Sequence, residues 1–286
     1  MNTITNLVTP LVTSAPLDDM IDFDRRFGGI ARLYGAAALP RFRAARVCVV
    51  GVGGVGSWVV EALARSAIGH LTLIDLDNVA ESNINRQIQA LSATLGQAKV
   101  TALAQRIELI NPYCRVTEVE DFVTPDNLEQ MIGAHDFDYV VDAIDSVPAK
   151  SALIAYCSAR AIPLITIGSA GGQIDPTRIE VRDLARTEQE PLLAKVRKLL
   201  RAQHGFPRGA KNKFGIDAVF STEPLRFPES SDGCALDTDG ITGLNCAGFG
   251  SAMVVTASFG MVAAAHVLRM LAATGSPAGA AIVAAD

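Results

Sequence analysis

The sequence predicts an α/β fold: a doubly wound, mostly parallel sheet with additional antiparallel strands and a buried C-terminal helix. Three observations carry that class. Short apolar runs alternate with helix-period stretches from Arg46 to Thr166, the pattern of strands joined by crossover helices. A glycine turn, Gly51-Val-Gly-Gly-Val-Gly-Ser57, stands directly between the first apolar run and the first helical one. Two aspartates, Asp75 and Asp142, close apolar runs, at the edge where such sheets bind ligands.

Strands are expected at Arg46–Val50, Leu71–Asp75, Arg115–Val119, Tyr139–Asp142 and Pro163–Ile167. Between them Val55–Ala67, Gln97–Ile110, Pro125–Met131 and Pro148–Ala159 read as helices. Pro125 and Pro148 suit a first helical turn, where the missing N–H has no intrahelical partner to lose, and Asn111-Pro112 ends the second helix. After Gly168 the pattern changes. Ser169–Gly172 is a small-residue turn, Gln173–Arg182 alternates like an exposed or antiparallel strand, and a charged helix follows at about Glu188–Gln203. Gly205–Lys213 and Phe227–Gly243 are loop-like, the second a candidate mobile crossover. The expected organisation is a flexible acidic tail over 1–24, one domain over 25–272 with a basic insertion at 186–213 and a crossover at 227–243, and a C-terminal tail over 273–286.

A chain of 286 residues with 49% hydrophobic and 19% charged residues is not wholesale disordered. Its net charge of −5 speaks against a protein that holds nucleic acid by general electrostatics; DNA is not an expected partner, and any RNA contact must come from a local patch. The five cysteines, 48, 114, 157, 234 and 246, form no Cys-x-x-Cys pair, which argues against a disulfide framework or a zinc knuckle and fits a reducing, cytoplasmic setting. Asp18, Asp19, Asp22 and Asp24 occupy the first 24 residues with no Lys or Arg, unlike a secretory signal. Cys246–Ala265 is twenty residues without a charge, long enough to suggest membrane association. Its Gly, Ser and Thr content and shortage of Leu and Ile favour a close-packed buried helix instead.

The glycine turn can bring backbone amides and a helix N-terminus up to a phosphate; a nicotinamide or flavin cofactor, another nucleotide and a merely structural turn all remain open on that motif alone. Asp75, nineteen residues past Gly56, can accept hydrogen bonds from ribose hydroxyls. Asn83-Ile-Asn-Arg86-Gln and then Lys99 add cations on the same side, as a triphosphate needs when its leaving group develops charge; surface salt bridging is the bland alternative. Asp145 in Asp142-Ala-Ile-Asp-Ser146 is suited to share Mg²⁺ with substrate phosphates, while Asp145 or Ser146 could instead cap the helix beginning near Pro148. Eight basic residues lie between Arg186 and Lys213 against Glu188 and Glu190. Arg197, Lys198, Arg201, Arg208, Lys211 and Lys213 make this either a stripe that tracks a phosphate backbone or a solvated helix face.

These runs resemble the E1-like activating enzymes, whose Rossmann-like fold binds Mg·ATP and activates a carboxylate. Within them the chain is most similar to the bacterial tRNA threonylcarbamoyladenosine dehydratase family, from Arg26 to about Met270. Arg26-Phe-Gly-Gly-Ile-Ala-Arg-Leu-Tyr-Gly35, Asp121-Phe-Val-Thr-Pro-Asp-Asn127, Asp142–Ser146 and Gly171-Gly-Gln-Ile-Asp-Pro-Thr177 carry the likeness. The resemblance implies Gly51, Gly53, Gly54 and Gly56 under the nucleotide, Asp75 on the ribose with Asp77 assisting, Asn83, Arg86 and Lys99 around the phosphates, and Asp145 at Mg²⁺. Arg86, Lys99 and Asp145 are the implied catalytic set.

The implied reaction is ATP-dependent cyclisation of N6-threonylcarbamoyladenosine at position 37 of tRNA, with loss of water. The resemblance also implies a homodimer, to which Arg26 or Arg32 lends a side chain, and a cysteine-desulfurase or sulfur-acceptor partner; the turn at Ser169–Gly172 leaves room for a monovalent cation. Cys234 is either a sulfur-accepting nucleophile or inert, and Cys246 is expected to be packed. A sulfur-carrier adenylyltransferase is the first alternative, weakened by the missing Cys-x-x-Cys pairs. A non-catalytic member of a sulfur-relay complex is the second, weakened by the intact Arg86, Lys99 and Asp145. An NAD-dependent reductase explains neither the extra cations nor the long runs.

Overall fold

The computed structural model describes residues 21–209, 211–227 and 249–273. Strands β1 (Arg46–Val50), β2 (His70–Ile74), β3 (Arg115–Val119), β4 (Tyr139–Asp142), β5 (Leu164–Ile167), β6 (Ile179–Asp183) and β7 (Asp217–Ser221) form one sheet in the order β3-β2-β1-β4-β5-β7-β6. Every neighbouring pair is parallel except β6 with β7. The chain winds outward from β1 to β3, then returns to place β4 on the other side of β1. This reversal opens the crevice in which doubly wound sheets hold ligands. Register aligns Val50 with both Ile74 and Asp142, so the glycine turn, Asp75 and the Ala143–Asp145 loop leave the sheet at one level.

Alternation along β1 assigns its side chains to two apolar layers. Val47 and Val49 join the layer under helices α3 (Gly56–Ala64), α4 (Lys99–Ile110) and α7 (Met253–Ala273). Cys48 and Val50 join the layer under α5 (Val147–Ala159) and α6 (Pro191–Gln203). Two helices precede the sheet, α1 (Phe23–Tyr34) and α2 (Ala38–Ala44). The sequence pattern did not predict them, and α1 begins inside the span expected to be a loose acidic tail. Asp22 caps it, its carboxylate accepting the Arg25 N–H at 2.9 Å, and Phe27 buries its inner face. β7 was also unforeseen, because Asp217–Ser221 is a short mixed segment after a polar loop. The helix expected at Pro125–Met131 is a turn followed by a π-helical segment, Glu129–Gly133. Ser146 occupies the N-cap position of α5 but its side chain makes no capping bond. The capping role considered for it is therefore not found.

Helix α7 is the described helix long and apolar enough to cross a membrane by length and composition. In the structure Val255, Phe259, Ala263, Ala264 and Val267 are buried in the core. Gly260 sits where a Cβ would lie 2.7 Å from the Trp58 Cβ and 2.8 Å from the Val55 carbonyl oxygen, so α7 and α3 meet almost backbone to backbone. The small residues that made this segment a poor membrane span are the ones that permit that approach.

The sheet's ligand edge is fixed from below by a fully buried ion pair. Lys150 Nζ lies 3.0 Å from Asp142 Oδ2, both side chains 0% exposed. Lys150 also donates to the Ile144 carbonyl at 2.9 Å, while the Thr166 hydroxyl donates to Asp142 Oδ2 at 2.7 Å and the Ile144 N–H to Oδ1 at 3.1 Å. Burial pushes the Asp142 carboxyl above its usual range, against the opposing pull of the Lys150 charge and these hydrogen bonds. Removing one partner of such a pair leaves the other charged and dry, at about 3–5 kcal/mol. Lys150→Met is expected to lose that much stability in urea unfolding, and Asp142→Asn with Lys150→Met to recover part of it; equal stability of Lys150→Met and wild type would show that the pair is not held as an ion pair.

Candidate active site

A cavity of about 650 Å³ opens at the crevice between β1 and β4, within the range of nucleotide and cofactor sites. It is lined by Gly51, Gly53, Gly54, Asp75, Asp77, Asn83, Arg86, Lys99 and Asp145, so the expected site residues converge with one exception. Gly56 does not line it. A Cβ at Gly56 would collide with the Gly51 carbonyl oxygen, which makes its role the tightness of the turn. Gly51 is forced twice over: its φ is +83°, and a Cβ there would meet the Ala143 carbonyl oxygen at 2.8 Å.

Asp75 follows β2 directly. Its two oxygens accept the Val52 N–H at 2.8 Å and the Asp77 N–H at 2.9 Å, so it braces the glycine turn from within. Burial holds its carboxyl above the usual range, with the Lys99 charge the main opposing influence. Lys99 opens α4, 7% exposed, with Nζ at 2.7 Å from Asp77 and 3.8 Å from Asp75. It is thus a nearly buried cation shared by two carboxylates, one of them, Asp77, more than half exposed. An arriving phosphate can take over the exposed partner's place.

Asn83 is buried and structural: its side-chain oxygen accepts the Ala80 N–H at 3.0 Å and closes a short 3₁₀ turn. That turn projects Arg86, whose guanidinium donates to the Ser82 carbonyl at 2.6 Å and to Asn85 at 3.0 Å. The Arg86 stem lies over the turn, 3.4 Å from where a Gly54 Cβ would be. Its own carbonyl accepts from Trp58 Nε1 of α3 at 2.9 Å and from the Thr256 hydroxyl of α7 at 3.3 Å. Asp145 is exposed on the rim beside Ser146. Among the described residues no group of three or more His, Cys, Asp or Glu is assembled to hold a metal by itself.

Further lining residues were given no site role in the sequence. Asp121, Phe122, Val123 and Thr124 form one wall, clamped by Asn127, which accepts the Thr124 N–H and donates to the Phe122 carbonyl, each at 2.8 Å. Gly168–Gly171 and Leu192 form the opposite wall. Gln89, buried behind the turn, donates to the Val52 carbonyl at 3.0 Å. Asn127 lay inside a quoted run and was legible in principle; Gln89 and Leu192 gave no signal of their own.

The basic residues are split by the structure. Arg197, Lys198, Arg201 and Arg208 surround a shallow recess of about 340 Å³ with Ala194 and Ala202. Lys211 and Lys213 are exposed but do not line it, and the Lys213 charge acts on Asp217 at the start of β7. Burial pushes the Cys48, Cys114 and Cys157 thiols up, Cys114 and Cys157 to about 12, so none of the three is a ready nucleophile. Cys234, Cys246 and most of the 227–243 crossover lie outside the described residues.

Fold and cavity together define a nucleotide-binding enzyme of the E1-like class. Residues 26–284 match the ThiF family, and the chain belongs to it. It is 55% identical over 254 residues to the tRNA threonylcarbamoyladenosine dehydratase of Escherichia coli, and 51% identical over 251 residues to that of Haemophilus influenzae, each match covering 87% of this chain and 94% of the relative. The structure of the Escherichia coli dehydratase in complex with ATP matches with a TM-score of 0.78 and 53% identity, over 87% of this chain and 94% of that one.

The geometry separates two glycines. Gly53→Ala meets nothing nearer than the Gln87 amide nitrogen at 3.8 Å, so its stability without nucleotide should stay within about 0.5 kcal/mol of wild type while ATP affinity, measured by calorimetry, falls. Gly51→Ala should lower both, since the left-handed backbone alone costs roughly 1–2 kcal/mol. Undiminished ATP binding by Gly53→Ala would mean that no phosphate approaches the turn there.

Proposed function

We propose that the protein is an ATP-dependent tRNA threonylcarbamoyladenosine dehydratase, which cyclises N6-threonylcarbamoyladenosine at position 37 of tRNA. The observation that carries this reading is the single cavity in which the glycine turn, Arg86, Lys99 and Asp145 meet, in a chain more than half identical to two such dehydratases. A threonyl carboxylate oxygen attacks the α-phosphorus of ATP and pyrophosphate departs. A nitrogen or oxygen of the same carbamoyl group then attacks the activated carbonyl, AMP leaves, and a five-membered ring closes. Taken together, the substrate has lost water.

In this reading the turn amides and the first turn of α3 face the phosphates, and Asp75 receives the ribose hydroxyls, with Asp77 beside it. Arg86 and Lys99 stabilise charge on the phosphates as the leaving group develops. Asp145 would hold Mg²⁺, which would supply further neutralisation of the departing pyrophosphate. A monovalent cation belongs beside the Ser169–Gly172 turn. The recess of Arg197, Lys198, Arg201 and Arg208 takes tRNA phosphates, with Lys211 and Lys213 extending the stripe. A homodimer is supported by the exposed Met253, Val254 and Met261 on α7, and a cytoplasmic setting with a cysteine-desulfurase or sulfur-acceptor partner completes the reading.

The test is mass spectrometry of nucleosides from modified tRNA incubated with the protein and Mg·ATP, alongside Asp145→Ala. The expected result is an ATP-dependent loss of water from threonylcarbamoyladenosine that drops at least about 100-fold in the variant, the scale of losing one electrostatic stabiliser. ATP binding without any mass change would overturn the reading and direct the search to a protein carboxylate.

A further inference from the structure

Helix α6 touches both functional regions. Its first turn enters the nucleotide cavity at Leu192, and Arg197, Lys198 and Arg201 on its exposed side line the basic recess. From Leu192 to Arg201 is roughly 14 Å along a helix axis. One buried carboxylate joins the start of this helix to the cavity wall. Glu190, 3% exposed, accepts the Leu193 N–H through Oε2, capping α6, and the Ser169 N–H through Oε1 at 2.9 Å. Ser169 lines the cavity. Gly168 is pressed so close that a Cβ there would stand 3.0 Å from the Glu190 Cγ and Cδ.

Three further observations show that Glu190 is more than a cap. The Lys150 charge, which secures Asp142 and the Ile144 carbonyl beneath Asp145, also acts on Glu190. Burial pushes the Glu190 carboxyl up, so keeping it there costs stability that an exposed Asp, Ser or Thr cap would not. Gln189, immediately before it, holds a left-handed backbone at φ +56°, a conformation that costs free energy in a non-glycine residue. A helix that needed only a cap would not require a buried glutamate delivered by a strained residue.

We propose that Glu190 is a positioning residue that couples tRNA docking on α6 to the Gly168–Ser169 wall of the ATP cavity, so that each ligand tightens the other. The proposal rests on the reading of the α6 recess as a tRNA contact. A phosphate held by Arg197 and Arg201 fixes where the helix sits, and Glu190 passes that position on to the Ser169 amide.

The experiment uses the full chain, tRNA bearing threonylcarbamoyladenosine, and the non-hydrolysable analogue α,β-methylene ATP with Mg²⁺. Fluorescence anisotropy gives the tRNA dissociation constant with and without the analogue; calorimetry gives the analogue's constant alone. In wild type the analogue should tighten tRNA binding at least about five-fold, the lower end of ordinary coupling. Glu190→Asp is the discriminating variant, because aspartate caps a helix well yet is one methylene too short to reach Ser169 as well. It should keep both separate affinities within about two-fold of wild type and lose the coupling, with kcat reduced and KM for tRNA at saturating ATP raised by about the factor lost. Glu190→Gln, which keeps the length but only one acceptor, should behave the same way and guards against a misfolded first variant. Wild-type coupling and kcat in Glu190→Asp would overturn the proposal and leave Glu190 a cap. Arg197→Glu with Arg201→Glu tests the premise separately: tRNA affinity unchanged there would remove the docking surface itself, and the proposal with it.

Discussion

The ion pair between Asp142 and Lys150 is the constraint from which the geometry of the site follows. A lysine and an aspartate with no exposure at all are expensive to dehydrate, and they repay it only with good geometry and satisfied hydrogen bonds. Here the remaining donors and acceptors are met by Thr166, the Ile144 N–H and the Ile144 carbonyl. The result is a rigid Ala143–Asp145 loop at the end of β4. That loop places the Ala143 carbonyl where only glycine fits at position 51, and the Gly51 carbonyl in turn leaves room only for glycine at 56. The glycine motif is therefore the visible end of a chain of steric necessities that begins at Lys150, well below the ligand.

Charge is distributed to match. The protein is acidic overall, yet the cavity concentrates Arg86 and Lys99 at the end of the sheet, each restrained before any ligand arrives: Arg86 by Ser82 and Asn85, Lys99 by Asp77 and Asp75. Groups already oriented need little reorganisation when charge develops, which is where electrostatic catalysis gains most. The neighbouring carboxylates also keep an isolated Lys99 from being buried uncompensated. The second cationic cluster brings together Arg197, Lys198 and Arg201 of α6 with Arg208 of the following loop, and in the proposed reading it serves a ligand that brings several negative charges of its own.

The parallel strands from β1 to β5, the connecting helices other than the one expected at Pro125–Met131, and the convergence of Asp75, Arg86, Lys99 and Asp145 were legible because each leaves a local mark: alternation, apolar periodicity, glycines in a row, or acidic and basic residues just after an apolar run. Some of what escaped notice had no such mark: β7 is short and mixed in composition, stabilised by its pairing with both β5 and β6. α1 did carry one, twelve residues with apolar Phe23, Phe27, Ile30 and Tyr34 at helical spacing, and was passed over because it adjoins an acidic stretch read as a tail. Lys150 was hidden inside a helical period, although a lysine amid Ala149, Ser151, Ala152, Leu153 and Ile154 is itself a signal, since a cation in an apolar run must find a buried anion. Glu190 was counted merely as one of two acids among eight bases. Ser146 shows the converse error, a residue with the right chemistry for a cap and no capping bond in the folded chain.

The cavity also explains why the proposed chemistry asks so little of acid–base catalysis. None of the four histidines, 70, 135, 204 and 266, lines it, and its titratable groups are carboxylates, an arginine and a lysine already paired. Attack of an already ionised carboxylate on ATP needs no proton acceptor. Ring closure within one threonylcarbamoyl group is eased in another way, because the nucleophile and the activated carbonyl are tethered, and well-oriented intramolecular reactions reach effective molarities of about 10⁵–10⁸ M. Once the carboxylate is activated, the remaining barrier falls by orientation and by exclusion of the water that would otherwise hydrolyse the activated carbonyl. A rigid wall matters more to that task than a proton acceptor does. The side of the cavity built from Gly168, Ser169 and Leu192 is joined to the start of α6 through Glu190, and under the proposed coupling that helix start, rather than any histidine, is where the fold governs the reaction.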